Sequence, residues 1–402
     1  MSATTSANDT EGTPEVTPDD VRDELLAVVR KFRDNEIIPN AARFDRDDEY
    51  PAELVEQMKQ LGLFGITVPP EYGGLGLDTL TYAQIVEELA YGWMTVSGFL
   101  NTHFMGCFLI KTFGTDDQKE RFLPRMATGE IRGAYSLSEP DAGSDVAAIR
   151  TKAERDGDHY VVNGTKMWLT NGREAGLVVT LVKTDTNPEA KHRGMSVLLV
   201  EKEPGPTFEG ITVGPNIHKL GYRGVETVEL VFDDHQVPVA NLLGGEEGQG
   251  FFQMMGAVEL GRINISARAV GVARRAFEES IRYAQQRETF GKPIAQHQAI
   301  QFKLAEMGTK LHAARLMCLD AAQRKNRGER CDLEAGMAKY FASEMCWEIC
   351  QEALRIHGGN GYAAEYPIER LYRDAPLMIV GEGTNEIQKM VIGRRLLEDY
   401  AI

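Results

Sequence analysis

The period of the apolar residues changes twice along this chain of 402 residues, and that change constrains the fold more than any single motif. From Val21 to about Gly129 apolar side chains recur at helical spacing, as in Leu25, Val28, Val29, Phe32 and Ile37. Helices are expected over 81–91 and 97–113, with another beginning near Asp116, and the Pro69-Pro70 stretch through Gly74 reads as a loop. From about Ile131 to Leu243 the signal turns to strands. Tyr160 to Leu169 is expected to be a hairpin around an Asn163-Gly164 turn, and 177–182, 195–200 and 228–232 are β-rich runs. Several short antiparallel strands predict a small barrel or sandwich. From about Gly248 the segments lengthen. Residues 250–286, 295–327 and 333–357 and a final 385–400 read as amphipathic helices joined by short connections, which implies an antiparallel bundle. The expected fold is therefore mainly α with a central β domain. Its parts are a disordered tail (1–17), an N-terminal α-helical domain (18–130), the β domain (131–245) and a C-terminal four-helix bundle (246–402).

The net charge of −16 argues against a nucleic-acid binder. Five cysteines without a CxxC suit a reduced, cytoplasmic, bacterial chain, and Cys346 and Cys350, one helical turn apart, suit buried packing. Eight scattered histidines without an HExxH predict no metal. No apolar run is long enough to span a bilayer, and residues 1–21 hold acidic side chains but no Lys or Arg, unlike a signal or transit peptide.

One carboxylate stands between two glycines: Gly381-Glu382-Gly383, after the apolar run that starts at Pro376. A dry setting raises the pKa of a carboxylate and suits it to act as a base at carbon, whereas a surface turn would leave it an ordinary Glu. Three more stretches invite a ligand. The loop from Tyr135 to Asp145 is rich in hydroxyls and small residues and can offer N–H donors to phosphates. Trp168 beside Thr170 suits a flat ring with a donor at its edge, or else a core Trp. Arg287 at an interhelix turn suits a pyrophosphate, and Gly358-Gly359-Asn360-Gly361 exceeds what a helix cap needs.

These blocks, in this order, resemble the acyl-CoA dehydrogenase family from about Val21 to the C-terminus. They are the Leu-Ser-Glu-Pro-x-Ala-Gly-Ser-Asp loop, the Trp-Leu-Thr-Asn-Gly strand, the Arg-x-Thr-Phe-Gly-Lys turn, the Gly-Gly-Asn-Gly loop and the Glu-Gly-Thr corner. The resemblance implies a homotetramer, a dimer of dimers, with non-covalent FAD. It implies that Tyr135, Leu137, Ser138, Gly143, Ser144, Trp168, Leu169 and Thr170 hold the flavin portion. Arg287, Phe290, Gln298 and Arg355, Ile356, His357, Gly358 and Gly359 would reach a neighbouring subunit's FAD, and Thr384, Asn385 and Glu386 would touch the cofactor from the catalytic side. Ser144, Glu259, Arg262 and Gly383 fall at acyl-CoA positions, and Glu382 at the catalytic base of the short- and medium-chain-like branch. The implied reaction is α,β-dehydrogenation of an acyl-CoA, as in β-oxidation, with electrons passed to electron-transfer flavoprotein. Some relatives place the base where this chain has Gly261. Glutaryl-CoA dehydrogenases carry an Arg where this chain has Val96, and Arg355 and His357 replace the Gln and apolar residue of straight-chain relatives. Rival readings are an acyl-CoA oxidase or flavin monooxygenase on the same fold, which the family's monooxygenases generally enter without the Glu, and a non-catalytic acyl-CoA-binding or assembly protein.

Overall fold

The computed structural model describes residues 18–402; the tail expected over 1–17 lies outside the described residues. The N-terminal helices are α1 (Pro18–Phe32), running through a π-helical turn (Arg33–Ile37) into α2 (Ile38–Asp47), then α3 (Ala52–Gln60), α4 (Thr79–Gly92), α5 (Met94–Phe113) and α6 (Asp116–Ala127). Side chains close the orphan N–H groups at two starts. Asp78 accepts from Thr81 N at 2.8 Å, and Thr115 with Gln118 forms a reciprocal capping box before α6. Helix α5 has no charged residue before Lys111 and is buried almost all round, as a helix apolar on every face must be.

The middle of the chain forms one eight-stranded sheet, built from β1 (Gly133–Ser136), β2 (Lys152–Asp156), β3 (His159–Thr170), β4 (Leu177–Lys183), β5 (Met195–Glu201), β6 (Thr207–Phe208), β7 (Ile211–Val213) and β8 (Thr227–Pro238). The order is β1-β4-β2-β3-β8-β7-β6, with β5 added to β4. Alternation along β4 divides its side chains: Leu177, Val179 and Leu181 enter the core shared with the helices, while Val178 and Val182 enter the sheet's own core.

Two expectations are corrected here. Asn163-Gly164 is not a hairpin turn, because β3 runs straight through it from His159 to Thr170. The register against β8 slips between Val162 and Gly164, where Asp233 and Asp234 of β8 face Asn163 alone, so the bulge lies in β8. Gly164 sits at φ 146°, and a Cβ there would lie 2.6 Å from Thr151 Oγ1, so the glycine serves close backbone approach. The strands are also not all antiparallel: β4 pairs in parallel with β1 and β2. The β1–β4 pairing needs a long crossover, and β2 and β3 supply it.

The C-terminal part packs α7 (Gly250–Gln286), α8 (Gln298–Asn326), α9 (Asp332–His357) and α12 (Asn385–Asp399). A two-stranded ribbon, β9 (Glu288–Thr289) with β10 (Lys292–Pro293), joins α7 to α8, and short helices α10 (Ile368–Asp374) and α11 (Leu377–Val380) precede α12. Helix α4 lies on α7 and α8. Its buried Glu87 and Glu88 meet Arg315 Nε at 2.9 Å and Arg274 Nη2 at 2.6 Å, pairing across the junction charges that could not be buried alone. The five cysteines are free and buried.

Candidate active site

The chain leaves α11 at Val380, turns at Glu382 and enters α12 at Asn385. Glu382 has φ 53°, and Gly383 has φ 82°. A left-handed conformation at a non-glycine residue costs energy and is held here by its surroundings. The carboxyl end of Glu382 points inward. Asn101 on α5 donates its Nδ2 hydrogen to Oε1 at 2.7 Å. On α7, a Cβ at Gly261 would lie 2.6 Å from Oε2 and 2.9 Å from Cδ. Gly261 therefore does more than lack a base: its missing side chain is the space the Glu382 carboxyl fills.

Burial pushes the Glu382 carboxyl above its ordinary pKa. The Asn101 hydrogen bond and the cations Arg268, Lys339 and Arg262 oppose that rise without cancelling it. Tyr135 on β1 also stands in the field of Glu382, with its hydroxyl donating to Met254 O at 3.0 Å. Strand β1 and helices α5, α7 and α9 thus converge on one carboxyl group.

Two of the expected ligand blocks are joined directly. Met167 N donates to Ser138 O at 2.9 Å, so the Ser/Asp/Gly loop lies against the strand that carries Trp168. Beneath the loop, Glu139 accepts from Arg150 N at 2.6 Å, Thr151 N at 3.0 Å and the buried Lys166 ammonium at 2.9 Å, which fixes the loop's shape. Trp168 is not a core residue. It is 54% exposed, lies at φ 66° and stands where the β3–β8 register slips. Thr170 is half-buried beside it, as are Tyr135, Leu137 and Ser138, while Gly143 and Ser144 are exposed. Leu169 is turned into the core of the sheet, so its backbone is the part that faces the same side as Trp168 and Thr170.

The remaining residues separate by exposure. Arg287, Phe290, Gln298 and Arg355 face outward, Phe290 at 97% exposure, and a Cβ at Gly358 or Gly359 would meet nothing within 4 Å. Ile356 and His357 are buried: His357 stacks on Tyr283 at 4.2 Å and its Nδ1 bonds Ala353 O at 2.8 Å. Asn385 is likewise turned inward, its side chain bonded to Lys339, Ser343 and Glu344 on α9. The Thr384 hydroxyl caps α12 by accepting from Ile387 N at 3.3 Å, and Glu386 is exposed. Glu259 holds Lys325 at 2.8 Å, and the partly buried Arg262 keeps its Nε without a hydrogen-bond partner among the described residues.

Sequence reasoning missed Asn101 and Lys339. Nothing in the order of residues around Asn101 points to a carboxylate 281 positions away. Lys339 did leave a signal, a lone cation on the face of α9 that also carries Ala335, Ala338, Ala342 and Ser343.

Three family models match: the N-terminal domain of acyl-CoA dehydrogenase over 19–130, the middle domain over 134–235 and the C-terminal domain over 248–397. The chain belongs to the acyl-CoA dehydrogenase family. It is 42% identical to an acyl-CoA dehydrogenase of Bacillus subtilis, over 93% of this chain and 97% of that one. It is 41% identical to an acryloyl-CoA reductase (NADH) of Anaerotignum propionicum, over 93% and 94%. The butyryl-CoA dehydrogenase of Megasphaera elsdenii superimposes with a TM-score of 0.90 at 36% identity, covering 96% of this chain and all of that one. Members of the family are FAD-dependent oxidoreductases acting on CH–CH donors. The residues here fit such a cofactor: an exposed indole on a strained strand, the buried Ser136 Oγ at the end of β1 without a hydrogen-bond partner among the described residues, and glycines open to close approach at 358 and 359.

The Asn101 contact has a measurable consequence. A hydrogen bond to a charged group contributes about 1.5–3 kcal/mol. Asn101→Leu removes one that favours the ionised carboxyl, so the pKa of Glu382 rises further and the acid limb of the activity profile moves to higher pH by about one unit. An unmoved limb, followed by stopped-flow reduction of the enzyme across pH, contradicts that contact.

Proposed function

We propose that this protein oxidises a short or branched acyl-CoA to the trans-2-enoyl-CoA, with Glu382 as the base. The observation that carries the reading is the inward-pointing carboxyl of the half-buried Glu382, with its raised pKa, fitted against Gly261. An α-proton beside a thioester is weakly acidic, and a carboxylate with a raised pKa in a dry setting is matched to take it. A backbone N–H near Glu382 hydrogen-bonds the thioester oxygen and stabilises the enolate-like charge that builds as the proton leaves. FAD, when bound, accepts the β-hydrogen as hydride. The loop at Ser138 and the strand at Trp168 and Thr170 position the cofactor, and Arg287, Gln298, Arg355, Gly358 and Gly359 serve the cofactor of a neighbouring subunit. Ser144, Glu259, Arg262 and Gly383 line the path of the acyl-CoA.

The acyl group is small on this reading. Phe104 and Met105 follow Asn101 by three and four residues on α5, which places bulk on the side of the helix that carries the contact to the base. Similarity to the butyryl-CoA dehydrogenase supports the same choice. A homotetramer and electron transfer to electron-transfer flavoprotein complete the proposal. The outward Phe290, Tyr362 and Leu397 support burial by further subunits. Read backwards, the same groups would let Glu382 return a proton to the α-carbon of an enoyl-CoA, and similarity to the acryloyl-CoA reductase favours testing both directions.

Glu382→Gln keeps the shape of the corner and removes the base. The variant is expected to retain FAD, while its anaerobic bleaching by acyl-CoA slows by about 10²–10⁴-fold, the usual range for a general base. Bleaching near the native rate would remove Glu382 from the mechanism. Across a series of straight and branched acyl-CoAs, short or branched ones are expected to bleach the native enzyme fastest. Fastest bleaching by long straight chains would overturn the reading of a small acyl group.

A further inference from the structure

Lys339 has no exposed surface and sits in the middle of α9. Its ammonium donates to Ile379 O at 3.0 Å, to Gly383 O at 2.8 Å and to Asn385 Oδ1 at 2.8 Å. Three donors meet three acceptors, which is all a lysine can make. Two of the acceptors straddle Glu382, one before it and one after it. Helix α9 also secures the third: Ser343 Oγ reaches Asn385 Oδ1 at 3.1 Å, and Asn385 Nδ2 reaches Glu344 Oε1 at 2.8 Å. Gln388 Nε2 adds a second donor to Gly383 O at 3.2 Å. The strained Glu382 is therefore clamped on both sides from a helix other than α5, which makes the hydrogen bond to its carboxyl.

We propose that Lys339 is a positioning residue for the proposed base: its ammonium holds the backbone on both sides of Glu382 and supplies a fixed positive charge that keeps the carboxyl ionised. The inference rests on the reading of Glu382 given above. A neutral donor would satisfy carbonyls at lower cost, because burying a charge is expensive unless something uses it. The charge acts where it can be felt. Lys339, Arg262 and Arg268, the latter two on α7, all draw Glu382 toward the ionised form, and Asn101 on α5 adds its hydrogen bond. The groups acting on Lys339 itself are Glu382, Arg262, Glu386 on α12 and Glu344 on α9. Burial pulls the ammonium down to about 8, and the three carboxylates oppose that pull. The clamp is thus charged at neutral pH and starts to lose its proton within reach of experiment.

Separate variants resolve the two parts of the clamp. Lys339→Gln keeps a neutral donor, and Lys339→Arg keeps a charge that does not titrate below pH 12. The readout is the rate of anaerobic FAD reduction by acyl-CoA against pH, together with FAD content and the affinity for enoyl-CoA. Lys339→Gln is expected to keep FAD and to bind enoyl-CoA within about twofold, because it leaves the ligand contacts in place. Its acid limb is expected to move up by about one pH unit, since a cation beside the base is lost. Lys339→Arg is expected to keep the native acid limb. A purely structural lysine would lower yield or melting temperature and leave the limb where it is, so an unmoved limb in Lys339→Gln overturns the proposal.

If Lys339→Gln does not fold, the alkaline side decides. The native rate is expected to fall above pH about 8, because the deprotonated amine has two donors for three acceptors and loosens the corner that carries Glu382, and that fall is expected to be absent in Lys339→Arg. A native rate that stays flat through this range, or the same fall in both proteins, overturns the proposal. Glu382→Gln, measured alongside, keeps the two readings apart. If it still reduces its FAD at the native rate, the base itself is wrong. If it is inactive and the Lys339→Gln limb is unmoved, only the role of Lys339 fails.

Discussion

Burying the Glu382 carboxyl raises the free energy of its charged form, and the surrounding fold limits that penalty without cancelling it. Too little burial would leave an ordinary weak base, and too much would keep the group protonated at neutral pH. Asn101 gives one hydrogen bond, three cations give longer-range attraction, and Gly261 leaves the space. The hydrogen bond comes from α5, and the cations and the space come from α7 and α9, so the corner exists only when the N-terminal helices and the bundle are assembled. The buried ion pairs of Glu87 and Glu88 with Arg274 and Arg315 lie on that assembly, between α4 and the bundle.

The ligand-facing side follows the same logic with a different balance. Trp168 gives up burial and takes a left-handed backbone, and both choices cost stability unless something flat covers the indole. The Glu139–Lys166 pair fixes the adjoining loop from beneath, so that its outer surface is free of internal work. Exposed Phe290 and the open glycines at 358 and 359 extend this pattern to a distant surface, in keeping with a cofactor shared across a subunit boundary.

Much of the architecture was legible in the sequence because period and length are local properties. The helix over 250–286 and the change from helix to strand near residue 131 needed only apolar spacing. Asn163-Gly164 misled because the freedom a glycine gives a turn also serves close approach within a continuous strand, and only the neighbouring chain at Thr151 decides between them. Trp168 could not be placed as core or surface from its neighbours, since strand alternation breaks at the register slip it occupies. In the candidate site, Glu382 and Gly261 were readable through the family blocks. The inward turns of Ile356, His357, Leu169 and Asn385 were not, because a motif fixes residue identity and leaves side-chain direction to packing. Asn101 was hidden for the simplest reason: its contact is long-range and its residue type is common.

The central claim is that Glu382 takes a proton from the α-carbon of an acyl-CoA. A 3-thiaacyl-CoA isolates that step, because sulfur in place of the β-carbon leaves no hydride to transfer while the α-protons remain acidic. Incubated with the FAD-loaded enzyme in D₂O, the α-protons of such a compound are expected to exchange rapidly with the native protein and not with Glu382→Gln, although both bind it. Equal exchange by the two proteins, or none by the native one despite binding, would contradict the account.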